Sequence, residues 1–152
     1  VQRIVEAVGV PPSQQVAFGR SIGSLYAVEM VHRFPDTAGM VLESGIHDLL
    51  ERLLLRVHPD ELGCTREELA EAVRLHFDQE TKLSGFSNPS LFLHAEHDHL
   101  VGVQHAIANH NASGAADKTL IRFPRGDHNS ILAANATSYL QHLGMFLQKL
   151  QN

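Results

Sequence analysis

Residues 15–24 leave this chain few choices. Val16, Ala17 and Phe18 form an apolar run behind the polar pair Gln14 and Gln15, and Gly19, Ser21 and Gly23 then fit the pattern G-x-S-x-G. A short apolar strand, a sharp turn and a helix are the expected order. The helix shows in Leu25, Val28, Met30, Val31 and Phe34, whose spacing suits one buried face. This is the pattern of a nucleophile elbow, in which a serine sits at a strained strand-to-helix turn with its hydroxyl presented beyond the sheet. The turn brings strand and helix so close that residues two before and two after the serine are expected to lack a Cβ. The helix aims its first N–H groups at the same place, which suits a developing negative charge. The bland alternative is a glycine-containing turn that only connects a strand to a helix.

After the elbow, Pro35 stops the helix, and residues 38–43 form a second short apolar strand closed by Ser44 and Gly45. Strand, helix, strand with so long a crossover predicts a parallel sheet of the α/β class. Residues 46–86 depart from this alternation. Leu49, Leu50, Leu53, Leu54 and Leu55 make a leucine-rich segment, residues 58–63 a turn, and Leu69, Val73 and Phe77 a second helical stripe. Thr65 and Glu68 have the spacing of a capping box before that stripe. The segment is expected to be a helical insertion over one end of the sheet. A third strand follows at 90–94, a helix at 101–110, a fourth strand at 119–123 and a long final helix at about 130–150. At the other end, Ile4, Val5 and Val8 predict the end of a helix capped by Gly9.

The 152 residues suffice for a single domain with a sizeable core. A net charge of −5 argues against nucleic acid as a partner. No apolar run is long enough to span a bilayer. The single cysteine, Cys64, excludes an intrachain disulfide and predicts a reducing, cytoplasmic setting.

A serine nucleophile needs a base, and the base an orienting carboxylate. In open parallel sheets such groups sit in loops beyond the carboxyl ends of strands. Asp98 follows the third strand and His128 the fourth, which gives the chain order Ser21, Asp98, His128. Glu43, at the end of the second strand, is the competing acid; its bland reading is a solvated strand end. Arg20 either meets a negatively charged substrate group or pairs with a local carboxylate. Leu53 and Leu54 either line an acyl pocket or form the underside of a packed helix. His94, His97 and His99, with Glu96 and Asp98, have the composition of a metal site, but along a strand end and loop they point different ways, so no metal or cofactor is expected. His32, His47, His58, His76, His105, His110 and His142 are expected on the surface or at caps.

The three segments 19–24, 91–98 and 126–129 resemble three signatures of the α/β-hydrolase fold family. The middle one is similar to the family's L-x-x-H-G-x-x-D segment, with Ala95 in place of the usual glycine. The resemblance covers roughly residues 16–152, and its flavour is that of the small intracellular branch, which includes serine hydrolases acting on esters, thioesters and small amides. It implies a partial fold of about four parallel strands, matching the family's strands five to eight, with flanking helices and a helical cap at about 46–86. It also implies Ser21 as nucleophile, His128 as base, Asp98 as orienter and the Ile22 N–H as one oxyanion donor. The substrate would be a small acyl compound or an acylated protein. The strands that precede the elbow in the family are then expected upstream in the same chain, as about 100 or more residues, or supplied by a partner. Without them the first strand's free edge is an aggregation hazard and turnover is expected to be weak. The alternative from another class is a non-catalytic binding or assembly module, or an inactive fragment of a longer hydrolase.

Overall fold

The computed structural model describes residues 9–151. The helix expected to end at Gly9 lies outside the described residues. Four strands, β1 (Val16–Arg20), β2 (Gly39–Glu43), β3 (Ser90–Ala95) and β4 (Lys118–Phe123), form one sheet in the order β1-β2-β3-β4. All three pairings are parallel, with Ala17 opposite Met40, Leu42 opposite Phe92 and His94 opposite Arg122. Parallel neighbours need crossovers, and helices supply them. These are α1 (Gly23–Arg33), then α2 (Leu49–Leu54), α3 (Arg66–Phe77) and α4 (Gln79–Ser84) between β2 and β3, and α5 (Val103–Ala112) between β3 and β4. Helix α6 (Ile131–Lys149) closes the chain.

The alternation of side chains along each strand sorts the core into two layers. On one face Ala17, Met40, Leu42 and Phe92 pack with Ala27, Val28 and Val31 of α1. On the other, Val41, Leu91, Leu93 and Phe123 pack with Ile131, Tyr139 and Phe146 of α6. Every residue of β2 and β3 is buried, as expected of central strands covered on both faces. β1 is different. Ala17 and Gly19 are buried under α1, but Phe18 on the opposite face is 48% exposed, and among the described residues no strand pairs with the outer edge of β1.

The segment expected as a helical insertion is helical. Asp48 caps α2 by accepting the Glu51 N–H at 2.9 Å. The capping box of α3 forms, with Thr65 Oγ1 accepting from Glu68 N at 3.1 Å and Glu68 accepting from Thr65 N at 2.8 Å. No residue of α3 is buried; its Val73 and Phe77 rest on a small cluster of Leu25, Ile46, Leu49 and Val101. The end of the segment belongs to the body instead, since Leu83 and Phe86 lie in the core against Met40 and Phe92. In α6 the helix kinks at Asn135 (φ −133°), whose side-chain amide donates to Ile131 O and Arg125 O, both at 2.8 Å. No described helix is long and apolar enough to cross a membrane.

Candidate active site

Ser21 stands between β1 and α1 with φ at +52°, the left-handed region that side chains other than glycine rarely adopt. Its surroundings hold it there. Its N–H donates to Glu43 O at 2.9 Å, and its carbonyl accepts from Ser24 N at 3.0 Å and Ser24 Oγ at 2.6 Å. Ser24 Oγ in turn accepts from Ile46 N at 2.9 Å, which ties the turn to the loop after β2. A Cβ at Gly19 would come within 2.6 Å of Gly23 O and 2.7 Å of Ala27 Cβ, so the close approach expected of the motif is real there. The expectation for Gly23 is corrected: a Cβ on it would meet nothing within 4 Å among the described residues.

Asp98 and His128 reach the same point from the ends of β3 and β4. Asp98 Oδ1 accepts the N–H groups of Leu100 and Val101 at 2.9 and 2.8 Å, a tight turn that fixes the carboxylate. Its Oδ2 lies 2.7 Å from His128 Nδ1, and His128 Nε2 lies 2.9 Å from Ser21 Oγ. A carboxylate only accepts, so Nδ1 carries the proton and donates to Asp98; Nε2 is left to accept the Ser21 O–H. Both Asp98 and His128 are buried, while Ser21 is half-buried and reachable. The loop carrying His128 is built around Asp127, whose Oδ1 accepts from Asn129 N and Ser130 N at 3.0 Å and from Ser130 Oγ at 2.6 Å. Those bonds, that of the Ser130 hydroxyl first, hold the Asp127 carboxyl below its usual range. Ile22 is the N-cap of α1, so its N–H is one of the first-turn donors that lack an acceptor within the helix.

Glu43 is not a solvated strand end. It is buried, and both carboxylate oxygens are engaged: Oε1 accepts from Arg20 Nε at 2.8 Å and Oε2 accepts the Tyr139 hydroxyl. Burial, and then the bond to Glu43, push the Tyr139 hydroxyl well above its ordinary pKa. Arg20 thus meets a local carboxylate, and its Nη2 donates to the backbone carbonyl of His128 and to Asn129 Oδ1, the latter at 3.2 Å.

The expectation that the scattered histidines lie on the surface or at caps is corrected for His105, which is 2% exposed. Its Nδ1 accepts from His47 N at 3.2 Å and Asp48 N at 3.3 Å. Glu51 Oε2 lies 3.2 Å from its Nε2, and no hydrogen bond joins them. His94 is also fully buried. Its Nε2 donates to Val101 O at 2.7 Å, behind the Asp98 turn, and Asp98 Oδ2 is 3.6 Å away. Desolvation, the largest influence on each, pushes both rings below the usual histidine value of 6.5. His97 and His99 are exposed, and among the described residues no three His, Cys, Asp or Glu side chains converge as metal ligands. Leu53 is half-buried against the cluster of Leu25, Ile46, Leu49 and Val101. Leu54 lines an open groove of about 570 Å³ with Leu55, Val57, His58 and Arg66, to which Ser21, Asp98 and His128 do not contribute.

No protein-family model matches the sequence, and no curated protein matches it. Solved structures do. The esterase domain of a Rhodothermus marinus protein superposes with a TM-score of 0.70 at 20% identity, over 98% of this chain and 64% of that one. The monoacylglycerol lipase of Paleococcus ferrophilus gives 0.71 at 16% identity, over 98% of this chain and 72% of that one. The acylaminoacyl peptidase of Pyrococcus horikoshii gives 0.75 at 12% identity, over 99% of this chain and 26% of that one. The chain therefore spans less than two thirds of the esterase domain and about a quarter of the peptidase. At such identities the likeness is one of backbone, and the backbone it establishes, shared over nearly all of these 152 residues, is that of the α/β-hydrolase fold.

Proposed function

We propose that the chain is the nucleophile-bearing portion of a serine hydrolase acting on an acyl ester, a thioester or a related carbonyl compound, either a small molecule or an acylated protein. The observation that carries the reading is the unbroken path from a left-handed Ser21 through His128 to Asp98, with contacts of 2.9 and 2.7 Å. Ser21 Oγ attacks the carbonyl carbon while His128 Nε2 takes its proton. Asp98 stabilises the imidazolium and holds it in the productive tautomer. The oxyanion forms beside the Ile22 N–H. His128 then returns the proton to the leaving group, and water, activated by the same ring, releases the acyl-enzyme.

Neighbours described as esterases and a monoacylglycerol lipase support acyl transfer over other chemistries. We assign helices α2 and α3 of the segment 46–86, whose end packs into the body, to a cap that sets the acyl group accepted. Leu53 is engaged in packing and Leu54 lines a groove that the triad does not reach, so neither contact by itself supports a substrate role. Arg20 is given to Glu43 and the His128 loop and not to a substrate anion. Turnover by these residues alone is expected to be low. In the fold a second oxyanion donor comes from a loop after strand three, and a missing donor costs about 2.7–4 kcal/mol of transition-state stabilisation. The lone Cys64 suits a reducing, cytoplasmic compartment.

A fluorophosphonate probe tests the reading. Covalent labelling that disappears in Ser21→Ala supports it. A folded chain that never labels favours the non-catalytic binding module.

A further inference from the structure

The elbow and the His128 loop have no direct backbone ladder between them. β1 and β4 are the first and last strands of the sheet, three inter-strand spacings apart, or about 14 Å at the hydrogen-bonding distance of neighbouring strands. Yet the Ser21–His128 contact must hold at 2.9 Å for proton transfer. What spans the gap is Arg20. Its guanidinium takes Glu43 on Nε and the carbonyl of His128, with Asn129 Oδ1, on Nη2. Glu43 is itself anchored from two sides, by the Tyr139 hydroxyl from α6 and through its own backbone carbonyl by the Ser21 N–H at 2.9 Å. Glu43 therefore holds the backbone of the serine through its own carbonyl and, through its buried carboxylate and a single guanidinium, the backbone of the histidine.

We propose that Arg20 and Glu43 are positioning residues that set the distance between Ser21 and His128. The proposal rests on the reading of those two as nucleophile and base. Neither Arg20 nor Glu43 touches the reacting atoms; they act through the main chain on both sides of them. The role needs arginine. A planar fork satisfies a carboxylate and a carbonyl at once, whereas a lysine ammonium at this position is a single point charge that keeps Glu43 paired and lets the His128 carbonyl go. It also needs an ionised or fully accepting group at Glu43, because Arg20 and Tyr139 both donate to it.

Arg20→Lys is the informative variant. Arg20→Ala would leave the buried Glu43 without its cation and endanger the fold. Two readouts are taken on the whole 152-residue chain. The first is the saturation kinetics of fluorophosphonate labelling. The second is the exchange with water of the His128 Nδ1–H, followed by NMR in the free protein, which needs no turnover. The expected result for Arg20→Lys is a fall of about 10–100-fold in the maximal labelling rate, the loss that a small misplacement of reacting groups produces. The half-saturating probe concentration stays the same, and the Nδ1–H exchanges at least about tenfold faster. Tyr139→Phe, which removes one anchor and leaves the fork intact, gives a smaller change in the same direction. An Arg20→Lys chain that keeps both the wild-type labelling rate and the wild-type exchange rate overturns the proposal. If the wild type does not label, the hydrolase reading fails separately, and the exchange rate alone decides whether Arg20 holds the His128 loop.

Discussion

The Ser21 N–H donates to the backbone carbonyl of Glu43 at 2.9 Å, so the strained serine is pinned by the neighbouring strand as well as by its own turn. A side chain at φ +52° costs about 1–2 kcal/mol. Ser24 offsets part of that by accepting from Ile46 N and donating to Ser21 O while fully buried. The elbow is thus a joint between three segments, β1, the loop after β2 and the first turn of α1.

That joint makes the two glycines of the motif unequal. Gly19→Ala puts a methyl against Gly23 O and Ala27 Cβ at 2.6–2.7 Å. It should destabilise the chain by about 1–3 kcal/mol, the usual cost of overpacking, or more if backbone must move. Gly23→Ala meets open space among the described residues and should be close to neutral. Urea unfolding of both variants checks this; equal losses would contradict the geometry.

The identity of the acid is decided by a pair of variants. Asp98→Asn should lower the labelling rate by about 10⁴-fold, because the amide favours the wrong tautomer of the ring it faces. Glu43→Gln should cost only about 10–100-fold, through position. The reverse ranking in labelling kinetics would make Glu43 the orienting acid.

Acid should weaken the fold through two buried rings. His105 Nδ1 accepts two backbone N–H groups, and desolvation outweighs the pull of Glu51 3.2 Å from its Nε2; at His94 desolvation likewise outweighs Asp98, 3.6 Å away, so folding favours the neutral form of both. Burial depresses their folded pKa values below the unfolded value of 6.5, and the unfolded chain therefore takes up protons first. The stabilisation is complete above about pH 6.5 and is lost as pH falls, by at most about 1.4 kcal/mol per pH unit for each ring. Chemical unfolding at about pH 8 and about pH 5.5 measures the slope, and His105→Gln should reduce it. Stability that rises on acidification, or a slope that ignores the substitution, would contradict this.

The elements that carry the site were legible where pattern follows local chemistry. G-x-S-x-G after an apolar strand located Ser21, and the loops after the third and fourth strands located Asp98 and His128, because the order of residues in such loops is local. Thr65 and Glu68 announced the start of α3 for the same reason. What stayed hidden depends on packing between distant segments. Glu43 looks like a strand end in sequence, and its burial follows only from Arg20 and from Tyr139, 96 positions away. Tyr139 lies on the apolar stripe of the last helix, and its hydroxyl on that buried face is the one hint that a polar partner waits beneath. His105 reads as a surface residue in the sequence because a helix with weak periodicity does not say which face the loop after β2 will cover.

The exposed side of β1 predicts self-association. Phe18 stands 48% exposed beside a strand edge that no described residue pairs, a template for another copy of the chain. Sedimentation velocity of the 152-residue chain should show species larger than a monomer, and Phe18→Lys should shift them toward the monomer. A wild type that stays monomeric at high concentration would contradict the expectation.

The central claim is that Ser21 is a nucleophile activated by His128, and the location of a covalent adduct tests it most directly. After long incubation with a fluorophosphonate, tryptic cleavage at Arg20 and Arg33 releases residues 21–33, which hold two serines, Ser21 and Ser24. The account predicts an adduct on Ser21 alone, absent when His128→Ala protein is treated in the same way. An adduct on Ser24 or Ser44, or labelling of Ser21 that survives His128→Ala unchanged, would contradict it.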